Sequence, residues 1–138
     1  MAALKANPEL TPSAVEEMLR YDGPASVIIR RSTESVEVAG HSFEAGTHFY
    51  LASVAGNSDP DVFPNPERFD ITRTGTRHTA FGMGTFYCLG AALARMEADE
   101  CFRILFDRFP DIRLAENGAQ WLVHPPLGHG LTALQVAF

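Results

Sequence analysis

An α+β fold is predicted, and three observations predict it: helical periodicity near the start, a β-patterned segment after it, and a longer helical stretch behind a glycine- and proline-rich loop. Thr11-Pro12-Ser13 precedes a segment in which Val15, Met18 and Leu19 share a face. The spacing therefore predicts a helix over 12–21, with proline in its first turn and Asp22-Gly23-Pro24 as its stop. Between 26 and 52, the runs Val27-Ile28-Ile29, Val36-Glu37-Val38 and His48-Phe49-Tyr50-Leu51 are separated by turns at Gly40 and Gly46, which predicts one small antiparallel sheet. Residues 56–90 repeat Gly, Pro, Asn and Asp, and a loop this long inside a compact chain is usually functional. Ala91, Ala94, Ala98, Cys101, Leu105 and Phe109 recur at helical spacing, while Arg95, Asp99, Arg103 and Asp107 step by four on another face. A long helix is expected there, with Cys101 on its packed stripe and Pro110 at its end. Leu122-Val123 and the alternation from Leu131 to Phe138 predict a final hairpin turning across Pro125-Pro126 and Gly128-His129-Gly130.

At 138 residues, 46% hydrophobic and 20% charged, the chain has the composition of one soluble globular domain. A net charge of -6 argues against a nucleic-acid partner, which would require a basic stripe to neutralise phosphates. No apolar run reaches the length of a membrane span, and Met1 to Leu10 lacks the basic-then-apolar order of a signal peptide. A cytoplasmic location without a membrane partner is expected. Cys88 and Cys101 cannot build a disulfide framework, and in a reducing compartment a thiol is packed, catalytic or a ligand.

Phe81-Gly82-Met83-Gly84-Thr85-Phe86-Tyr87-Cys88-Leu89-Gly90 sets a cysteine where a glycine-rich turn meets a helix N-terminus. Unpaired N–H groups and the positive end of the helix dipole favour thiolate over thiol there, and glycines let the backbone approach the sulfur or a flat ligand closely. Such a sulfur is suited to bind metal. The residues alone also accommodate a buried structural cysteine beside a helix cap.

Phe81-x-x-Gly84-x-x-x-Cys88-x-Gly90 resembles the heme-binding signature of the cytochrome P-450 family, and Ala91-Ala92-Leu93-Ala94-Arg95 resembles the helix that follows it. Glu17-x-x-Arg20 resembles the family's Glu-x-x-Arg pair, and Phe63-x-x-Pro66-Glu67-Arg68-Phe69 the segment supplying a second arginine. The resemblance covers nearly the whole chain. It implies that residues 1–138 are the C-terminal heme-binding part of the mainly helical cytochrome P-450 fold, with the N-terminal and distal-helix part absent. It further implies heme b, held through Cys88 on the iron, Arg30 and His78 on the propionates, and contacts from Phe81, Gly82, Gly84, Gly90 and Ala94. Glu17, Arg20 and Arg68 would form a structural triad locking the loop beneath the heme.

One departure stands out. The position two before the cysteine usually carries His or Arg, and here it is Phe86. Loss of that charge-assisted contact is expected to weaken heme binding on the order of 1.5–3 kcal/mol without abolishing it.

Thiolate ligation favours O–O cleavage, so the resemblance implies O2-dependent hydroxylation of a hydrophobic small molecule, with electrons from a ferredoxin-type partner. Residues 25–29 and the turn around 123–127 match family regions that touch substrate, and both are apolar. The family's proton-delivering acid-alcohol pair has no counterpart here. A truncated, non-catalytic fragment that binds heme poorly or acts by association is therefore the alternative, and its uncovered apolar surface is expected to promote association.

Overall fold

The computed structural model describes residues 2–75, 77–124 and 128–138. Helix α1 (Ala2–Ala6) and a 3-10 turn at Pro8–Leu10 lead into α2 (Thr11–Asp22). Four short strands follow, β1 (Val27–Arg31), β2 (Val36–Val38), β3 (His41–Phe43) and β4 (His48–Ala52), and β4 passes directly into α3 (Ser53–Gly56). After the long loop and a 3-10 turn at Gly84–Phe86 come α4 (Ala91–Arg108), β5 (Arg113–His124) and β6 (Gly128–Ala137).

The first long helix forms where its periodicity predicts. Its start is held by the Thr11 hydroxyl, which donates to the Pro8 carbonyl at 2.6 Å, and by the Ser13 hydroxyl, which donates to the Ile71 carbonyl at 2.6 Å. The second tie also pins the long loop to the first turn of α2.

The predicted single sheet is two separate two-stranded ladders, β1 with β4 and β2 with β3. Strand β1 runs antiparallel to β4 from Val27 opposite Ala52 to Arg31 opposite His48. Strand β3 was not anticipated; it exists because Ala39 (φ 51°) and Gly40 (φ 78°) both adopt the left-handed region, the geometry of a tight two-residue hairpin turn. The small hairpin leans on the larger ladder through an edge-to-face pair of Phe43 and Phe49 with centroids 5.1 Å apart.

The long helix α4 also forms as expected, and its packed face holds Ala91, Ala94, Ala98 and Leu105 of the predicted stripe but not Cys101 or Phe109, which are exposed. Arg95, Phe102 and Phe106 are half-buried as well. The inward face is thus shifted toward Arg95, which reaches a carboxylate on α2 and whose stem joins the packed side. The expected i,i+4 ladder is replaced as well, because Arg103 pairs with Glu100 instead. The terminal strands pair from Arg113 opposite Ala137 to His124 opposite Gly128, with irregularities between Leu114 and Ala119 and between Gln120 and Trp121. The predicted turn at Pro125-Pro126, and Leu127 after it, lie outside the described residues.

The core is small: Leu4, Ala14, Val15, Phe63, Ala80, Ala91 and Ile112, joined by buried Thr11, Glu17, Arg20, Ser53 and Asn57. The accessible surface is 9827 Å², against roughly 7,100 Å² for a compact monomer of this mass. The surplus includes Met83, Phe86, Leu89, Leu93 and Met96, all exposed around the cysteine loop and α4. Because Cys101 contributes no packing, Cys101→Ser is expected to shift stability by less than about 0.5 kcal/mol in urea denaturation, and Cys101 is expected to alkylate in the folded chain.

Candidate functional site

The cysteine loop is closed on itself by short backbone bonds. Gly82 N–H donates to the Thr79 carbonyl at 2.8 Å, Tyr87 N–H to Gly84 at 3.1 Å and Cys88 N–H to Phe81 at 2.9 Å. Gly82 (φ 74°) and Gly84 (φ 65°) occupy the left-handed region that side chains disfavour. A Cβ on Gly82 would lie 3.5 Å from the Phe86 carbonyl and 3.8 Å from Ile28 Cδ1, so the loop rests directly on β1.

The turn then enters α4. Gly90 caps the helix, Ala91 N–H donates to the Cys88 carbonyl at 3.2 Å, and Ala94 N–H donates to Gly90 at 2.9 Å. Cys88 is exposed, at the positive end of an 18-residue helix. A Cβ on Gly90 would stand 3.9 Å from the sulfur. The Phe81 ring lies 4.7 Å beneath the Arg95 guanidinium and meets Tyr87 edge-on at 6.2 Å.

Arg30 projects from β1, half-buried, with Nη1 donating to the Ile29 carbonyl at 2.9 Å. Its guanidinium lies 5.3 Å over the ring of Phe86, which is 73% exposed.

His78 is anchored in a different network. Its Nε2 lies 3.1 Å from Glu16 Oε2, and its Nδ1 accepts the Ala80 N–H at 3.2 Å. Desolvation pushes the imidazole below its ordinary value of 6.5 against the opposing pull of Glu16. A neutral ring with its proton on Nε2 satisfies both contacts. Glu16 also accepts from Arg95 Nη2 at 2.9 Å, and Arg95 Nη1 donates to the Tyr87 hydroxyl at 2.9 Å. The Arg95 hydrogen bond is the main cause holding the Glu16 carboxyl below its ordinary range, with burial opposing.

Beneath the loop lies a second charged cluster. Glu17 and Arg20 are 2% and 3% exposed and meet through two parallel bonds, Nε to Oε2 at 2.7 Å and Nη2 to Oε1 at 2.8 Å. The second cation is Arg73, with Nε 3.2 Å from Glu17 Oε2, and not the expected Arg68. The Arg68 side chain points outward, 71% exposed and 3.8 Å from Asp70. What Arg68 supplies is its carbonyl, which accepts from Arg20 at 3.4 Å and from Arg73 at 3.3 Å. Asp70 N–H completes the carboxylate at 2.9 Å. Arg20 also reaches the Asn57 carbonyl at 2.8 Å, and the Asn57 side chain accepts Thr79 N–H at 2.7 Å and its hydroxyl at 2.9 Å. The buried cluster is thereby tied to the residue two before Phe81.

Glu16, Asn57 and Arg73 escaped the sequence reading, and Arg95 entered it only as part of a helix motif and a charge ladder. Each has partners far along the chain, so no local spacing marks it.

Removing Arg73 leaves Glu17 paired with Arg20 but takes the charged donor away from Glu17 and from the carbonyls of Pro64, Asn65 and Arg68, whereas removing the Arg68 side chain leaves the accepting carbonyl in place. Arg73→Ala is expected to cost about 2 kcal/mol and Arg68→Ala less than about 0.5 kcal/mol, measured by urea denaturation.

Burial pushes the Glu17 carboxyl up, but Arg20, the Asp70 N–H and Arg73 outweigh it and hold the group below its ordinary value of 4.5. The stability this confers is complete above pH 4.5 and is lost as pH falls through the depressed folded value. Unfolding midpoints of the parent chain should therefore decline below that pH, and Glu17→Gln should start lower and decline less steeply.

The family model described as cytochrome P-450 matches residues 4–120. The chain is 40% identical over 136 residues to the biotin biosynthesis cytochrome P-450 of Bacillus subtilis (strain 168), covering 98% of this chain and 34% of that protein. It is 41% identical over 138 residues to the cytochrome P-450 monooxygenase PikC of Streptomyces venezuelae, covering 99% and 33%. Among solved structures it is similar to the BioI cytochrome P-450 in complex with an acyl carrier protein ligated to hexadec-9Z-enoic acid. That match has a TM-score of 0.89 and 38% identity over 99% of this chain and 35% of the other. A testosterone complex of CYP109E1 from Bacillus megaterium matches with a TM-score of 0.90 and 36% identity, over 98% and 38%. The chain spans about a third of the length of the curated relatives it matches.

Proposed function

Since the chain belongs to the cytochrome P-450 family, whose members bind heme b, we propose that it is the heme-ligating C-terminal part of a monooxygenase, with Cys88 as the iron ligand. The observation that carries this reading is an exposed sulfur at the N-terminus of α4, on a loop whose glycines at 82, 84 and 90 carry no side chain to block close approach. The donor set fits the group. Among the described residues no cluster of three or more His, Cys, Asp or Glu side chains is placed to hold a bare ion. A lone thiol suits a metal whose other donors come from a macrocycle, and exposed Met83, Phe86 and Leu89 offer that macrocycle an apolar bed.

When bound, a thiolate-ligated heme supplies oxygen activation, electron donation from sulfur favouring O–O cleavage. The chain's own residues prepare the site. Cys88 stands at the N-terminus of α4, and Phe81 packs against the Arg95 guanidinium and the Tyr87 ring. Arg30 offers its guanidinium to a carboxylate at the ligand's edge, while Gly82, Gly84, Gly90 and Ala94 allow close approach. His78 is neutral and engaged with Glu16, so a propionate role requires it to exchange that partner.

Half-buried, mostly apolar residues 25–28 on the approach to β1 suit a hydrophobic small molecule. A ferredoxin-type donor would supply electrons, and the reading places the protein in the cytoplasm; among the described residues no helix is long and apolar enough to cross a membrane. A second reading, a heme-binding or associating fragment without turnover, is favoured by the surplus of exposed surface.

Heme addition, reduction and carbon monoxide should give the Soret position of a thiolate ligand, lost in Cys88→Ser and kept in Cys101→Ser. Heme should also protect Cys88, and not Cys101, from alkylation. A parent spectrum without the thiolate band would overturn the assignment, and substrate oxidation by the isolated chain with a reductase would overturn the second reading.

A further inference from the structure

The contact between Arg30 and Phe86 has no structural reason of its own. Phe86 is 73% exposed at the end of a 3-10 turn, so its ring contributes little to the core. Among the described residues Arg30 pairs with no carboxylate; its guanidinium lies 5.3 Å over the Phe86 ring, and one nitrogen is spent on the neighbouring Ile29 carbonyl. The contact exists because Gly82 lets the loop settle on Ile28, two residues from Arg30 along β1.

Stacking has a chemical consequence. A guanidinium carries five N–H donors, so a ring held 5.3 Å from its carbon limits where the head can swing while donors beyond the one on Ile29 are left to reach a ligand. Arg30 lines a cavity of about 380 Å³ whose other walls include Ile28, Leu51, Gly82 and Met83, and whose two hydroxyls, Ser53 and Thr79, are engaged with the protein's own carbonyl and amide oxygens. A mostly apolar pocket whose one charged group is a guanidinium suits an apolar ligand bearing a carboxylate at its rim.

We propose that Phe86 is a positioning residue: its ring holds the Arg30 guanidinium in place for a carboxylate of the ligand seated on Cys88. The phenylalanine then offsets by stacking part of what is lost with the basic side chain expected at position 86. This inference rests on the proposed function, because it presumes a ligand on Cys88.

The test has two readouts on the full chain. In carbon-proton correlation spectra of the ligand-free protein, ring current from Phe86 should shift the Arg30 δ-methylene protons upfield; the shift should vanish in Phe86→Leu and persist in Phe86→Tyr. In hemin titrations, Phe86→Leu should weaken binding about fivefold, within the range of a cation–π contact, and Phe86→Tyr should restore it. In an Arg30→Gln background, Phe86→Leu should have no further effect, which separates positioning from plain loss of apolar surface. Absence of the upfield shift in the parent chain overturns the inference. So does a Phe86→Leu effect undiminished in the Arg30→Gln background, or hemin affinity lost in Cys88→Ser but untouched by Phe86→Leu. Hemin affinity unchanged in Cys88→Ser, or no binding by the parent chain, overturns the proposed function and this inference with it.

Discussion

A single buried carboxylate organises this chain. Glu17 takes two bonds from Arg20, one from Arg73 and one from the Asp70 N–H, and the Arg20 guanidinium also faces the fully buried Phe63 ring at 5.4 Å. Ionised groups taken out of water cost several kcal/mol each, and only complete pairing offsets that cost. The pairing is complete because donors arrive from α2 and from the loop at 70–73, so the loop is held in the one path that satisfies the charge.

The neighbouring residue does the same on another side of the helix. Adjacent helical positions point about 100° apart, so Glu17 faces the long loop while Glu16 faces α4 and the segment before the cysteine. Glu16 gathers Arg95 and His78, and Arg95 reaches on to Tyr87 and the face of Phe81. One turn of α2 thus holds both ends of the cysteine loop. Asn57 completes the frame by carrying the restraint from Arg20 to Thr79. A loop of glycines, which pays a high entropic cost for a fixed shape, is positioned from outside by charged side chains.

The resulting molecule is firm beneath the sulfur and open above it. Its buried polar groups lie around α2 and the loop, whereas Met83, Phe86, Leu89 and Leu93 face outward beside Cys88. Exposed apolar surface around an exposed sulfur is a liability for an unliganded chain and an asset for one that seats a large, flat, apolar group. The same openness leaves Arg30 without a carboxylate among the described residues, its guanidinium over the Phe86 ring instead.

The sequence by itself determined the two long helices and most strands and singled out Cys88 as the candidate sulfur, while α1, β3 and α3 went unread. Helical periodicity marked α2 and α4, and the glycine-cysteine pattern marked the loop, because these features follow from spacing over a few residues. Tertiary structure alone decided who pairs with whom. Arg68 and Arg73 lie 51 and 56 residues beyond Glu17, and no periodicity distinguishes them. The choice falls to Arg73 because the backbone, turned through a left-handed Asn65 (φ 49°), presents the Arg68 carbonyl to the cluster and sends its side chain outward. The exposed Cys101 has the same origin. Its position on an apolar stripe was readable, but Arg95 drawing α4 toward Glu16 set which face of the helix turned inward. Local propensity fixes elements, whereas the desolvation of distant charges selects their partners, and only the folded chain brings those charges within reach.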